Sequence, residues 1–166
     1  MVSIEYVWTT PTDERARPLI DDLARDYDER YGDNDGIPSS YELYRYPAEL
    51  FSPAQGGAFL LLLEDGRTVA GGAYKRVDEV TAEVKRVWTA RTDRRRGLSR
   101  TVMAALEAEA LRVGYSRIEL TTGARQPEAH ALYLALGYVP QFDLGADFEE
   151  IGYLEFTKEL QASSAT

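Results

Sequence analysis

"VWTARTDRRRGLSRTVM" (87–103) decides how this chain is read. A strand-forming start runs into a turn carrying Arg94, Arg95, Arg96, Gly97 and Arg100. Beyond it, Val102, Met103, Leu106, Ala110 and Val113 recur at helical spacing and Gly114 follows, so the pattern predicts a helix over 96–113. The first N–H groups of a helix have no partners within it and sit at the positive end of its dipole. Gly97 lets backbone and ligand approach closely. The turn is therefore suited to an anion such as a pyrophosphate. A plain basic helix start would read the same on this segment alone. It is not a Walker loop, because no Gly-Lys-Ser/Thr follows, nor a dinucleotide fingerprint, because the glycine triplet is missing.

The rest of the chain makes this positive charge a local feature. The 166 residues carry 28 acidic and 19 basic side chains, a formal net charge of −9. Affinity for phosphate backbones rests on Lys and Arg, so no nucleic-acid partner is expected. Local positive charge in an acidic chain suggests a small anionic ligand at the turn, and the acidic remainder would tolerate a cationic second substrate. There is no cysteine, which removes disulfides, thiolate metal sites and cysteine nucleophiles. A single histidine, His130, cannot build a histidine cluster, so no metal is expected. "MVSIEYVWTT" lacks the pattern of a signal peptide and "AFLLLL" (58–63) is too short for a bilayer span, so a cytoplasmic protein without a membrane partner is expected.

Hydrophobic patterning outlines one α/β domain over 1–160 with a tail at 161–166. "SIEYVW" reads as a first strand. A helix follows, with Thr10 as cap, Pro11 in the first turn and Pro18 set to kink or restart it. The stretch 32–57 reads as a long loop with one short helical turn. Two strands meet at Asp65-Gly66, a hairpin signal, and "TAEVKRVWTA" is the next strand. After the 96–113 helix come the strand "YSRIELTT", a helix over 127–136 with Pro127 at its start, and last strands in "YVPQF" and "IGYLEFTKEL". The strand–helix–strand unit over 81–121 predicts a parallel crossover inside an otherwise antiparallel sheet.

Three stretches together carry a resemblance: "AEVKRVW", the turn Arg94-x-x-Gly97-x-Ser99, and "QPEAHALYLALGY" with Ala129, Leu132, Tyr133, Gly137 and Tyr138. Taken as a set they resemble the GNAT superfamily of acetyl-CoA-dependent N-acetyltransferases. The likeness is motif-level over 83–138 and follows element order over roughly 57–160. The family's turn ends in Gly or Ala where this chain has Ser99, a residue still small enough and able to offer a hydroxyl. Glu128 and His130 stand where many relatives carry an Asn beside the pantetheine arm.

The resemblance implies a GNAT-like fold, a mixed and mostly antiparallel central sheet flanked by helices. It implies acetyl-CoA as co-substrate and direct attack by the primary amine of a small molecule or peptide. The alternative is a domain that binds acetyl-CoA as a sensor or scaffold without catalysing. A homodimer is left open. Cofactor contacts would come from Val87, Trp88 and Thr89 on a bulged strand, and from Arg94, Arg95, Arg96, Gly97, Leu98, Ser99 and Arg100 at the turn. N–H groups at Val87 or Trp88 would receive the thioester oxygen. Tyr133 would be the general acid; read on its own, without the resemblance, such a residue is more often a core tyrosine. Glu83 is the candidate base, against a Glu paired across strands with Lys or Arg, and Glu119 is the weaker alternative. His130 reads as an exposed helical histidine. Trp8, Trp88, Tyr27, Tyr31, Tyr41, Tyr44 and Tyr46 are grouped as an aromatic lining for the acceptor.

Overall fold

The computed structural model describes residues 3–34, 37–38 and 46–161. In chain order the elements are β1 (Ile4–Trp8), α1 (Arg17–Tyr31), β2 (Asp33–Asn34), β3 (Ile37–Pro38), β4 (Ala58–Glu64), β5 (Arg67–Arg76), β6 (Thr81–Thr89), α2 (Leu98–Arg112), β7 (Arg117–Gly123), α3 (Pro127–Ala135), β8 (Val139–Pro140), α4 (Phe148–Ile151) and β9 (Tyr153–Glu159). One seven-stranded sheet has the order β1-β4-β5-β6-β7-β9-β8, and β2 pairs with β3. Only the β6–β7 pair of the large sheet is parallel. The expected mixed α/β sheet and its parallel crossover are both present. Tyr41, Tyr44 and the end of the expected tail lie outside the described residues.

Alternation along the strands sends side chains to two cores. Leu60, Leu62, Tyr74, Val84, Ile118, Leu120 and Phe156 pack with Val102, Met103 and Leu106 of α2. Phe59, Leu61, Leu63, Ala73 and Trp88 face the other way, onto Leu19 and Leu23 of α1 and onto Phe51. The "AFLLLL" run is apolar throughout because β4 is covered on both faces.

The first helix starts later than the Thr10-Pro11 reading placed it. Asp13 caps a 3-10 turn at Glu14–Ala16, accepting the Arg15 N–H at 2.9 Å, and α1 begins only at Arg17. Pro18 lacks an N–H and is tolerated in a first turn, so it restarts the helix instead of kinking it. At the other end of the chain, "YVPQF" forms only the two-residue β8. Part of "IGYLEFTKEL" belongs to α4, capped by Asp147, whose side chain accepts the Glu149 N–H at 3.0 Å.

Two irregularities create the site. On β6, Trp88 pairs with Gly71 and Lys85 with Ala73, so Arg86 and Val87 stand against one residue of β5. This is a bulge, with Arg86 at φ 62°. On its other edge β6 pairs with β7 only at Thr81, Ala82 and Glu83. Past that rung the two strands part.

Candidate active site

A groove of about 640 Å³ opens where β6 and β7 separate. Its floor is β6 from Val84 to Thr89, with Thr121 and Thr122 of β7. Ala129, Leu132 and Tyr133 of α3 form one wall, and Asp22, Leu23, Asp26, Tyr27 and Arg30 of α1 form the other. The volume lies in the range of ordinary small-molecule sites.

The basic turn lies at one end. Arg95 and Gly97 adopt positive φ (67° and 75°), and Gly97 is the N-cap residue of α2. A Cβ built on Gly97 meets no protein atom within 4 Å, so the left-handed backbone, not crowding, calls for glycine there. The first N–H groups of α2 lie beside this turn. Arg94, Arg95, Gly97, Leu98, Ser99 and Arg100 all line the groove. The Ser99 hydroxyl is within 2.8 Å of Thr89 Oγ1, which ties the turn to the end of β6.

Arg96 departs from the expectation for the arginine run. It is not among the groove residues; its guanidinium pairs with Glu64 and, at 3.0 Å, with Asp93. Arg67 holds the other side of Asp93 with bonds of 2.7 and 3.1 Å. The side chain of Arg96 therefore anchors the turn to the β4–β5 hairpin and adds no charge to the groove. Asp93 is only 3 % exposed, and the Arg67 bond chiefly holds its carboxyl down to about 2. A depressed folded value contributes stability that is present above the unfolded value near 4 and lost as pH falls through about 2. Asp93→Asn should melt several degrees below wild type at pH 7, and the gap should close toward pH 2. Scanning calorimetry across pH checks this.

Tyr133 is 7 % exposed, its ring against Tyr138 and Phe156 and its side chain at the groove wall. Among the described residues its hydroxyl has no hydrogen-bond partner. Burial and, secondarily, Tyr27 push that hydroxyl up, so it stays protonated at neutral pH. The core reading of Tyr133 is realised, and the same residue lines the groove wall.

Glu83 does not line the groove. It occupies the last parallel rung beneath it, with Lys75 Nζ at 3.3 Å and Lys85 Nζ at 3.7 Å. The cross-strand pairing with lysine weighed from the sequence is realised, on a carboxylate that is largely covered. Glu119 faces it from β7. His130 is not an exposed histidine: its Nε2 donates to the Gly123 carbonyl at 2.9 Å, and its ring meets Phe148 edge-on.

The aromatic group disperses. Trp8 is 43 % exposed on the edge strand β1, away from the groove. Trp88 is buried under α1, donating its indole N–H to Asp22 at 3.1 Å. Tyr27 lines the groove, and Tyr46 lies against Lys75 and Lys85.

A cross-link between α1 and the β7–α3 loop had no counterpart in the sequence reading. Arg30 donates to the Arg125 carbonyl at 2.6 Å, and Arg125 returns a bond to the Arg30 carbonyl at 2.7 Å. Arg30 also pairs with Asp26 and Glu128, and Arg125 pairs with Glu149. Tyr31 lies so close to Gly123 that a Cβ there would overlap its hydroxyl and ring. Residues about 95 positions apart supply this link, and no local pattern marks it. Gly123→Ala should push Tyr31 out and destabilise the fold by about 1–3 kcal/mol. A thermal melt matching wild type would refute the contact.

A model of the Acetyltransferase (GNAT) family matches residues 7–138. No curated protein matches the chain. Among solved structures, one from Klebsiella pneumoniae, named for acyl-CoA N-acyl transfer, is 26% identical with a TM-score of 0.72, covering 97% of this chain and 99% of its own. A structure from Salmonella typhimurium, named as an acetyltransferase with its cofactor acetyl-CoA, is 18% identical with a TM-score of 0.66, covering 98% and 96%. An N-acetyltransferase from Thermoplasma acidophilum in complex with coenzyme A is 17% identical with a TM-score of 0.70, covering 95% and 99%. Among the described residues, no helix is long and apolar enough to cross a membrane. With the family match spanning most of the chain, and the parted strands, bulge and basic turn in place, this protein belongs to the GNAT family of acetyltransferases.

Proposed function

We propose that the protein transfers the acetyl group of acetyl-CoA to the primary amine of a small molecule or peptide. The observation that carries this reading is the parting of β6 and β7 beside the Arg86–Val87 bulge, with a basic helix start at one end and Tyr133 on the groove wall. The residues present fit acetyl-CoA. The turn over Arg95–Ser99 offers unpartnered amides and a left-handed Gly97 with open space before it, which suits a pyrophosphate. Arg94, Arg95 and Arg100 supply the charge, while Arg96 supports the turn from behind. Val87, Trp88 and Thr89 would flank the pantetheine through their main chain. N–H groups at Val87 or Trp88 would receive the thioester oxygen as charge develops on it.

When bound, acetyl-CoA supplies an activated acyl group. The chain's own residues orient it and move protons. A carboxylate on the Glu83 rung takes one proton from the acceptor ammonium, through water. The freed nitrogen forms its bond to the acyl carbon as the C–S bond breaks, and the electron pair leaves on sulfur. Tyr133 gives its hydroxyl proton to that sulfur and recovers one from the nitrogen. The net yield is an amide, a thiol and one proton.

The test is acetyl transfer over a panel of polyamines, peptides and aminoglycosides. Because the chain has no cysteine, a thiol reagent sees only released CoA. Amine-dependent thiol release with a matching mass gain of one acetyl group is expected. Tight acetyl-CoA binding without release for any amine would sink the reading.

A further inference from the structure

Two carboxylates face one another where the groove ends. Glu83 and Glu119 are register partners on the last parallel rung of β6 and β7. Their neighbours Ala82, Val84, Ile118 and Leu120 all point into the α2 core, so both carboxylates lie on the opposite face. One step further along that face, Lys85 and Thr121 line the groove. The pair therefore sits about 7 Å, two strand residues, beneath the wall of the groove.

The two groups are not equivalent. Glu83 is held between Lys75 and Lys85. Glu119 is half-buried and has no ion pair or hydrogen bond among the described residues. The charged groups facing it are Glu83 and Lys85 on β6, Lys75 on β5, Glu155 on β9, Arg117 on its own strand and Asp78 in the β5–β6 turn. Glu83 lies within ion-pair distance of two ammonium groups, and both oppose a proton placed there. Protonating Glu119 would instead relieve repulsion from Glu83 and Glu155.

We propose that Glu119 is where the proton lost by the acceptor ammonium comes to rest, with Glu83 as the ionised neighbour that relays it. This rests on the acetyl-transfer reading and names the second member of its base. The ammonium gives one proton to Glu83 through water, and Glu83 passes it to Glu119, whose carboxylate becomes a neutral acid. Nitrogen then bonds to the acyl carbon as described above, and Glu119 later returns its proton to solvent. Burial first, then Glu83 and Glu155, push the Glu119 carboxyl up, in the direction this role needs.

The experiment is the pH profile of kcat for wild type, Glu83→Gln, Glu119→Gln and Glu155→Gln with an active amine, beside carbon NMR titration of the glutamate carboxyls in the protein alone. Glu119→Gln should lose the acidic limb, with kcat down by about 10²-fold at its optimum, the low end of the range for acid–base catalysis. Glu83→Gln and Glu155→Gln should each keep a limb and move it to lower pH, because each removes a negative neighbour of Glu119, and only Glu83→Gln should also lower kcat, because it removes the relay. In the NMR titration Glu119 should titrate above an ordinary glutamate in wild type and fall in Glu83→Gln. A wild-type limb retained in Glu119→Gln, or an ordinary Glu119 titration, overturns the proposal. Absence of transfer by wild type with every amine overturns instead the reading beneath it, and the NMR titration tells the two failures apart.

Discussion

Gly97→Asp is expected to weaken acetyl-CoA binding by about fivefold to a thousandfold in calorimetry. Two like charges about 4 Å apart repel by about 1–4 kcal/mol between bulk water and a protein surface. Each 1.4 kcal/mol is tenfold in Kd. The fold should survive, because a Cβ at Gly97 meets no protein atom. Its left-handed backbone is also one that Asp tolerates better than most residues. Gly97→Ala separates the two causes. It carries the backbone strain without the charge, so it should lose much less affinity than the aspartate. Equal affinity in wild type and Gly97→Asp would place the pyrophosphate elsewhere.

Tyr133→Phe should lower kcat by about 10²–10⁴-fold while leaving acetyl-CoA affinity nearly intact, the range typical of a lost general acid. The structure makes this a clean substitution. The ring packs on Tyr138 and Phe156 and is retained, while the hydroxyl bonds no described residue and leaves no group unpaired when removed. Stability should therefore change little, in contrast to Tyr138→Phe. That hydroxyl donates to Glu107 at 2.8 Å, and Lys158 reaches the same carboxylate. A full-speed Tyr133→Phe enzyme would mean that the thiolate leaves without a protein proton donor.

The two variants also probe different parts of the chain. Gly97 acts before chemistry, through a helix terminus; Tyr133 acts during it, through one proton. If both behave as expected, the double variant should show the affinity loss of the first and the rate loss of the second, since no contact links the two residues.

Much of this architecture was legible in local pattern. Two strand-forming runs over 58–76 with Asp65-Gly66 between them required a hairpin, and the observed turn has Asp65 at φ 52°. The stripe from Val102 to Ala110 required a buried helix, and those residues are buried. Each of these is decided within a few residues by backbone preference and periodicity, so tertiary contacts had little to overrule.

What tertiary structure alone decided was which charges are available. Arg94, Arg95 and Arg96 are equivalent in sequence. Only the approach of the β4–β5 hairpin turns Arg96 onto Glu64 and Asp93 and leaves its neighbours at the groove. Glu83 and Glu119 are 36 positions apart in the chain and become one rung because β6 and β7 run parallel there. The lysines that clasp one and leave the other alone arrive by the same pairing. His130 was read as exposed because a helix pattern says nothing of the carbonyl at the end of the preceding strand. The wall formed by Asp22, Asp26 and Arg30 comes from a helix whose amphipathic pattern marks only the face it buries. Local sequence determines elements because backbone geometry is short-ranged; the pairing of charges waits for the fold, because Coulomb energy depends on distance in space and on the water that burial removes.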